Sequence, residues 1–308
     1  MLSLIRLSLI GLLAVSLPVQ QDREGGQFTI GVDVDLVVFN LSVTGSGGRE
    51  ISGLKASDFQ VYEDGRLQTI KLFRAEDVPA TVGLIIDTSG SMREKQPEVM
   101  RAAVQFVDAS NPSDEMFVMN FNEKVYSGLP PSTPFTNDAA LIRSALLKTP
   151  AVGLTALYDA LAAGIEHLKV GTRERKALVL LSDGGDNASH RKLDDVLQIA
   201  QRSSATIFTI GIYDEADSDQ NPGVLKKIAN QSGGRAYFPG SLKDLGAVWH
   251  DIAGRIRSQY TIGYSSTNPA RDGSFRRVKI SARQNGGGSL RVITRPGYLA
   301  AGDKAVAR

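Results

Sequence analysis

Oxygen-bearing side chains follow an apolar stretch in the first third of the chain. Val82–Ile86 has the length of a buried strand and is followed by Asp87, with Ser89 and Ser91 close behind. Buried parallel strands read as such apolar runs, and open α/β sheets bind ligands just beyond the carboxyl ends of their strands. Carboxylate and hydroxyl oxygens suit hard cations such as Mg²⁺. The spacing therefore predicts a metal site that begins at Asp87.

Two later loops offer further oxygens of the same kind. Thr155 follows Gly153 and is expected at the N-cap of a helix over Ala156–Leu168, and Asp183 comes shortly after the apolar strand Ala177–Leu181. Each fragment alone also fits an ordinary turn or a helix cap. Because parallel strands end at a common edge, we expect two carboxylates and three hydroxyls to converge there.

The positions of these loops require an α/β domain with smaller β segments on either side. Strands and helices alternate over residues 78–258, which predicts a doubly wound, mainly parallel sheet. Residues 21–77 and 259–300 have strand periodicity, with an Asp64-Gly65 hairpin turn between runs at 58–62 and 67–73. Neither segment is large enough to be stable alone. We therefore expect them to pair into a small β-sandwich, with the α/β domain inserted between them.

The ends of the chain differ from its middle. Residues 1–20 carry one charge, Arg6, and an apolar run of signal-peptide length, which predicts a signal peptide or an uncleaved signal anchor. No other membrane span is expected, and the protein is predicted to be exported to the periplasm, the cell envelope or the medium. Residues 301–308 carry no pattern and are interpreted as a tail.

The composition excludes several classes of function. The 308 residues carry 35 basic and 33 acidic side chains without a long basic block, which argues against nucleic-acid binding. The absence of cysteine rules out disulfides, thiolate chemistry and cysteine-based zinc sites. Only three histidines are present, and none form a His-x-x-x-His pair, so a zinc hydrolase site is not expected.

The order of these motifs resembles the von Willebrand factor type A domain. Asp-x-Ser-x-Ser, then Gly-x-Thr before an Ala/Leu-rich helix, then an apolar strand ending in Ser-Asp-Gly match that family's metal-ion-dependent adhesion site. The whole chain also resembles bacterial secreted proteins related to this domain, through Gly53-Leu54, Asp58-Phe59, Glu63-Asp64-Gly65 and Arg295-Pro296-Gly297-Tyr298. The resemblance implies a Rossmann-like fold and a non-catalytic role in adhesion or assembly.

The resemblance also implies a role for each candidate residue. The hydroxyls of Ser89 and Ser91 would bind the metal directly, and Thr155 would do so when a ligand is present. Asp87 and Asp183 would act mainly through water and through hydrogen bonds to the hydroxyls. The implied cation is Mg²⁺, with Mn²⁺ or Ca²⁺ as alternatives, and the implied partner is a protein that offers an acidic side chain.

Two other functions compete with this one. A metal-assisted hydrolase such as a phosphatase could use an aspartate after a buried strand, but the phosphatase Asp-x-Asp pattern is interrupted by Ser89 and no phosphate loop is present. The third possibility is an envelope scaffold in which the metal only stabilises the fold.

The remaining polar and aromatic candidates carry weaker signals. We interpret Asp186 and Asn187 as solvated loop residues, 214–219 as an acidic loop without the full EF-hand pattern, and Trp249 as a packing residue.

Overall fold

The computed structural model describes residues 36–75, 77–213, 220–283 and 290–300. The predicted leader, the first part of the β segment expected over 21–77, the acidic loop 214–219 and the tail 301–308 lie outside these ranges. Within them, no helix combines the length and apolar character needed to cross a membrane.

The secondary structure alternates as the sequence predicts. The strands of the described residues are β1 (Val37–Thr44), β2 (Phe59–Glu63), β3 (Arg66–Gln68), β4 (Ile70–Arg74), β5 (Ala80–Asp87), β6 (Glu115–Phe121), β7 (Val125–Ser127), β8 (Arg175–Ser182), β9 (Thr206–Gly211), β10 (Ala236–Tyr237), β11 (Tyr260–Tyr264), β12 (Phe275–Ala282), β13 (Arg291–Ile293) and β14 (Gly297–Leu299). The helices are α1 (Gln96–Ala109), α2 (Ala139–Leu146), α3 (Leu157–Leu168), α4 (Leu193–Arg202), α5 (Pro222–Ser232) and α6 (Leu245–Arg257). Short 3₁₀ turns occupy Ala56–Asp58, Gly90–Met92 and Leu242–Asp244.

A six-stranded sheet forms the centre of the α/β part, in the order β10-β9-β8-β5-β6-β7. Its neighbours run parallel except for β7, which pairs antiparallel with β6. Every residue of β5 is buried, as expected for a strand covered on both faces. The predicted doubly wound, mainly parallel sheet is confirmed.

Helices cover this sheet in two groups. Helix α1 contacts α2 and α6, and α4 contacts α3 and α5. Trp249 of α6 is fully buried, and its ring centroid lies 5.1 Å from that of Phe106 in α1. Its interpretation as a packing residue is confirmed.

The remaining strands form a sandwich of two four-stranded sheets. One sheet has the order β13-β1-β11-β4 and the other β14-β12-β2-β3. Each combines strands from before and after the α/β part, and both contribute to one buried aromatic and aliphatic core. The prediction that the two flanking segments pair is confirmed. The described residues belong to one compact unit, so the domain boundaries at 77 and 258 stay predictions.

The predicted turn of the hairpin in the first segment is present, but its second strand is shorter than predicted. Asp64 and Gly65 adopt positive φ angles of 46° and 83°, which suits the two-residue turn between β2 and β3. The expectation of one continuous strand over 67–73 is wrong. The pairing of β3 with β2 ends at Gln68, and β4 pairs with β11 in the opposite sheet. This change of sheet lets Phe73 pack against Phe59, with ring centroids 5.6 Å apart.

Candidate metal centre

The two predicted carboxylates follow neighbouring strands. β5 ends at Asp87 and β8 ends at Ser182, directly before Asp183, and the two strands run parallel with Ile86 beside Leu181. β5 continues to β6 on one side of the sheet, while β8 and β9 lie on the other. Strand order therefore reverses at β5, and such switch points are where doubly wound sheets bind ligands.

A small cavity opens at this edge of the sheet, and we call it the rim cavity. Its volume is about 150 Å³. The residues that line it are Ser89, Ser91, Gly153, Leu154, Thr155, Asp183, Gly185 and Asn187. Four of the five predicted site residues thus reach one cavity, and Asp87 does not line it.

The hydroxyls in the rim cavity are in contact with each other and with a carboxylate. Ser91 Oγ donates a hydrogen bond of 2.8 Å to Asp183 Oδ2, and it lies 3.2 Å from Ser89 Oγ. The other oxygen of Asp183 accepts from the backbone N–H of Gly185 at 2.9 Å. Three oxygen side chains from two loops therefore meet within hydrogen-bonding distance.

Asp87 is buried directly behind this group. Its Oδ1 accepts from the backbone N–H of Ser89 at 2.8 Å, and its Oδ2 accepts from Ser182 Oγ at 2.6 Å. Burial raises the pKa of Asp87 to about 6, against the opposing effect of these hydrogen bonds, and the negative charge of Asp183 contributes to the rise. Among the described residues, no Lys or Arg forms an ion pair with Asp87.

Sequence reasoning missed Ser182. A serine at the last position of a buried strand carries little signal, because its side-chain direction depends on strand register. In the fold, the pairing of β5 with β8 places it beside Asp87.

The expectation that Thr155 caps α3 is wrong. The helix begins at Leu157, with Ala156 as the N-cap residue. The first turn is capped from another loop, because Asp186 Oδ1 accepts from the N–H of Tyr158 at 3.2 Å and a serine in the same loop accepts from the next N–H. Thr155 is not used as a cap, and it lines the rim cavity instead.

Asp186 and Asn187 are also more than the solvated loop residues expected from the sequence. Asn187 Oδ1 accepts from the N–H of Thr155 at 2.8 Å, and its own N–H donates to the carbonyl of Thr155 at 3.0 Å. The loop after Asp183 therefore fixes the loop that carries Thr155. No local pattern announces this contact, since the residues are 32 positions apart.

Backbone contacts hold the first and second loops together. The N–H of Gly90 donates to the carbonyl of Gly153 at 3.0 Å, and that of Val152 donates to the carbonyl of Thr88 at 2.9 Å. Gly153 has a φ of 85°, a conformation that side chains disfavour. The loops thus present their hydroxyls from a connected backbone frame.

The donor set fits a hard divalent cation. The polar side chains that meet at this edge offer hydroxyl, carboxylate and amide oxygens and no sulfur or imidazole. In the described ranges, no group of three or more His, Cys, Asp or Glu side chains is arranged to hold a metal, so any cation here depends on the serine and threonine hydroxyls. The buried charge of Asp87 has no basic partner in the described part of the chain, and a cation would compensate it.

Comparison with known proteins identifies the same region. The family model described as the von Willebrand factor type A domain matches residues 82–249. An uncharacterized protein of Synechocystis sp. is 29% identical over 167 residues, which are 52% of this chain. The match spans only 38% of that protein's own length.

Solved structures share the fold at low sequence identity. A von Willebrand factor type A protein from Catenulispora acidiphila is 18% identical with a TM-score of 0.53, and covers 88% of this chain and 74% of that one. The von Willebrand factor domain of a type V pilus tip protein from Porphyromonas gingivalis is 16% identical with a TM-score of 0.51, covering 59% of this chain and 96% of that one. At these identities the likeness concerns the fold alone.

Proposed function

This chain belongs to the von Willebrand factor type A domain family, and from that membership and the rim cavity we propose that it binds a partner protein through a divalent cation. The observation that carries the proposal is the meeting of Ser89, Ser91 and Asp183 at the edge of the sheet, with Thr155 on the same cavity wall. Mg²⁺ is the cation we propose first, with Mn²⁺ and Ca²⁺ as alternatives.

We propose one role for the hydroxyl residues of the site and another for its carboxylates. Ser89, Ser91 and Thr155 would hold the cation through their hydroxyls, while Asp87 and Asp183 orient those groups and supply negative charge from behind. Hydroxyl ligands are neutral, so the bound cation would keep much of its charge and attract a carboxylate to complete its coordination. We propose that the partner supplies this carboxylate from an acidic side chain.

We propose that the site binds without catalysis. Among the residues that the structure describes, no histidine, cysteine or lysine lines the rim cavity to act as a nitrogen base for its serines. An exported or envelope protein is the proposed context, and the pilus tip protein with a similar fold is consistent with an adhesive role.

A peptide array tests both halves of the proposal. Immobilised heptapeptides with a central Asp in Gly, and the same peptides with Asn, are probed with the protein in Mg²⁺ or in EDTA. We expect binding only to the Asp peptides and only in Mg²⁺, because the cation must join two sets of oxygens. Binding that survives EDTA or extends to the Asn peptides would contradict the proposal.

Two serine variants, one in the rim cavity and one outside it, provide a test and its matched control. Ser91→Ala removes one hydroxyl from the rim cavity and should abolish Mg²⁺-dependent binding. Ser204→Ala changes an exposed serine after α4 and should leave binding unchanged. If Mg²⁺ raises the melting temperature while no acidic peptide binds, the metal stabilises a scaffold instead.

A further inference from the structure

A second depression lies beside the rim cavity, and we call it the side groove. It has a volume of about 530 Å³. The residues that line it are Asn122, Val125, Tyr126, Ser127, Lys148, Thr149, Pro150 and Val152. It runs between β7, the edge strand of the large sheet, and the loop that leads to Thr155.

The side groove and the rim cavity share one stretch of backbone. Val152 lines the side groove, and the next three residues, 153–155, line the rim cavity. Asn122 on the groove wall accepts a hydrogen bond of 2.7 Å through its carbonyl from the N–H of Ala156. Three residues of chain span at most about 11 Å, so one bound segment can reach both depressions.

Apolar side chains are unusually exposed along this path. Tyr126, Val152 and Leu154 are 38%, 43% and 54% exposed. Tyr126 and Val152 line the side groove and Leu154 lines the rim cavity, and exposed apolar groups along one surface mark interaction sites. Exposure elsewhere, as at Val170, is isolated from any polar site described above.

The charged residue that lines the side groove is basic, while the carboxylate of Glu123 accepts from the N–H of Leu154 at 3.2 Å between the groove and the rim cavity. Lys148 is this basic residue, and among the described residues this lysine forms no ion pair. An acidic segment that places one carboxylate at the cation would meet this second positive charge nearby. Long-range attraction of this sort steers association and favours partners of opposite sign.

We propose that the side groove binds an apolar side chain of the same acidic segment that reaches the cation, two or three residues from the metal-binding carboxylate. An extended segment advances about 3.3 Å per residue, so two or three residues stay within the upper bound of about 11 Å set by the backbone that the two depressions share. The inference rests on the proposed function and adds to it the sequence preference of the partner: an aspartate or glutamate close to a large aliphatic or aromatic residue.

The test extends the peptide array with one leucine. Heptapeptides carry a central Asp in Gly, with Leu at each of the other positions in turn, and are compared with the Asp peptide that lacks Leu, all in Mg²⁺. We expect Leu two or three positions from Asp to strengthen binding about tenfold, through partial burial of its side chain. In the double variant Tyr126→Ser and Val152→Ser, the peptides with and without Leu should bind with nearly equal affinity. Mg²⁺-dependent binding of the peptide without Leu should persist.

Val170→Ser is the matched control, because it removes an even more exposed valine side chain, 67% exposed against 43% for Val152, from the end of the sheet at which β5 and β8 begin. It should keep the full leucine gain. Thermal melts of each variant verify that the fold is retained.

The outcomes separate this inference from the function on which it rests. Absence of any Mg²⁺-dependent peptide binding contradicts the proposed function and the groove inference with it. Mg²⁺-dependent binding without a leucine gain, or with a gain that survives the double variant, overturns the groove inference alone. Sedimentation that shows a dimer lost in the double variant would assign the groove to a second copy of this chain, and would also overturn it.

Discussion

Asp87 does not line the rim cavity, but it accepts a hydrogen bond from the backbone N–H of Ser89, which does. It is 1% exposed, and its two oxygens accept hydrogen bonds from Ser89 and Ser182. Burial holds its pKa at about 6, so its charge is sensitive both to pH and to a nearby cation. Binding of a cation and loss of a proton are therefore linked at this residue.

Acidification should weaken Mg²⁺ binding. The proton and the cation compete for the same negative charge, so protonation of Asp87 below about pH 6 opposes binding. We expect affinity at pH 5 to be about tenfold lower than at pH 7.5, measured by isothermal titration calorimetry. Equal affinities at the two values would contradict a role for this carboxylate.

Without metal, the same residue should make the fold less stable at neutral pH. A pKa raised from 3.8 to about 6 contributes stability that is fully present below pH 4 and is lost as pH rises through 6. The loss is about 3 kcal/mol, measured by urea unfolding in EDTA. Asp87→Asn should remove this part of the pH dependence, and an unchanged profile in that variant would assign it to other carboxyls.

Ser182→Ala should weaken Mg²⁺ binding indirectly, through Asp87. The variant leaves Asp87 without one hydrogen-bond donor, which raises the pKa of the carboxyl further and weakens Mg²⁺ binding. The free energy of unfolding should fall by about 1–3 kcal/mol at pH 7.5 and by less at pH 5, where Asp87 is largely neutral. A purely structural role would give equal losses at both pH values, and Ser204→Ala should give neither effect.

At the scale of elements, the turn after β8 decides where Asp183 points. Gly184 has a φ of 85°, and a Cβ on it would lie 2.4 Å from the carbonyl oxygen of Asn221. That carbonyl belongs to the residue that caps α5, whose own N–H donates to the carbonyl of Asp183. The turn is thus fixed between one strand and a neighbouring helix.

Gly184→Ala should therefore both destabilise the fold and displace Asp183. We expect a loss of about 1–3 kcal/mol in urea unfolding, from the positive φ and the contact with backbone, together with weaker Mg²⁺ binding. Gly240→Ala is the matched control, since no atom lies within 4 Å of the added Cβ, and it should be near neutral. Equal stabilities of the two variants would show that the turn relaxes freely.

At the scale of the whole molecule, two arginines join the sandwich to the α/β part, the half-buried Arg295 and the buried Arg175. Arg295 donates to the carbonyl of Ser203 after α4 and to that of Val38 in β1, and it lies 4.5 Å from the ring centroid of Phe39. Arg175 at the start of β8 donates to the carbonyl of Gln259, which directly precedes β11 of the sandwich. These contacts hold the inserted part against the sheet that contains β1 and β11.

Arg295→Met should weaken this junction while keeping an apolar stem. It removes two charged hydrogen bonds and a cation–π contact, so we expect a loss of about 2–4 kcal/mol in thermal or urea unfolding. Arg291→Met, on an exposed arginine of β13, should cost little. The prediction fails if the two variants unfold alike.

The sequence by itself determined the class of fold and the residue types of the candidate site. Apolar runs with strand length, each followed by oxygen side chains, are local patterns, and the alternation of strands and helices places their ends at one edge. Four of the five residues so identified line the rim cavity. The residue types of the candidate site were therefore readable from the sequence alone.

The tertiary structure alone decided what those residues contact. The pairing of β5 with β8 made Ser182 a partner of Asp87. Asn187, 32 residues further along the chain, fixes the backbone of Thr155. The sandwich core moved β4 into the opposite sheet. Each of these depends on strand register and on packing between residues far apart in the chain, and such contacts leave no periodic signal in the sequence.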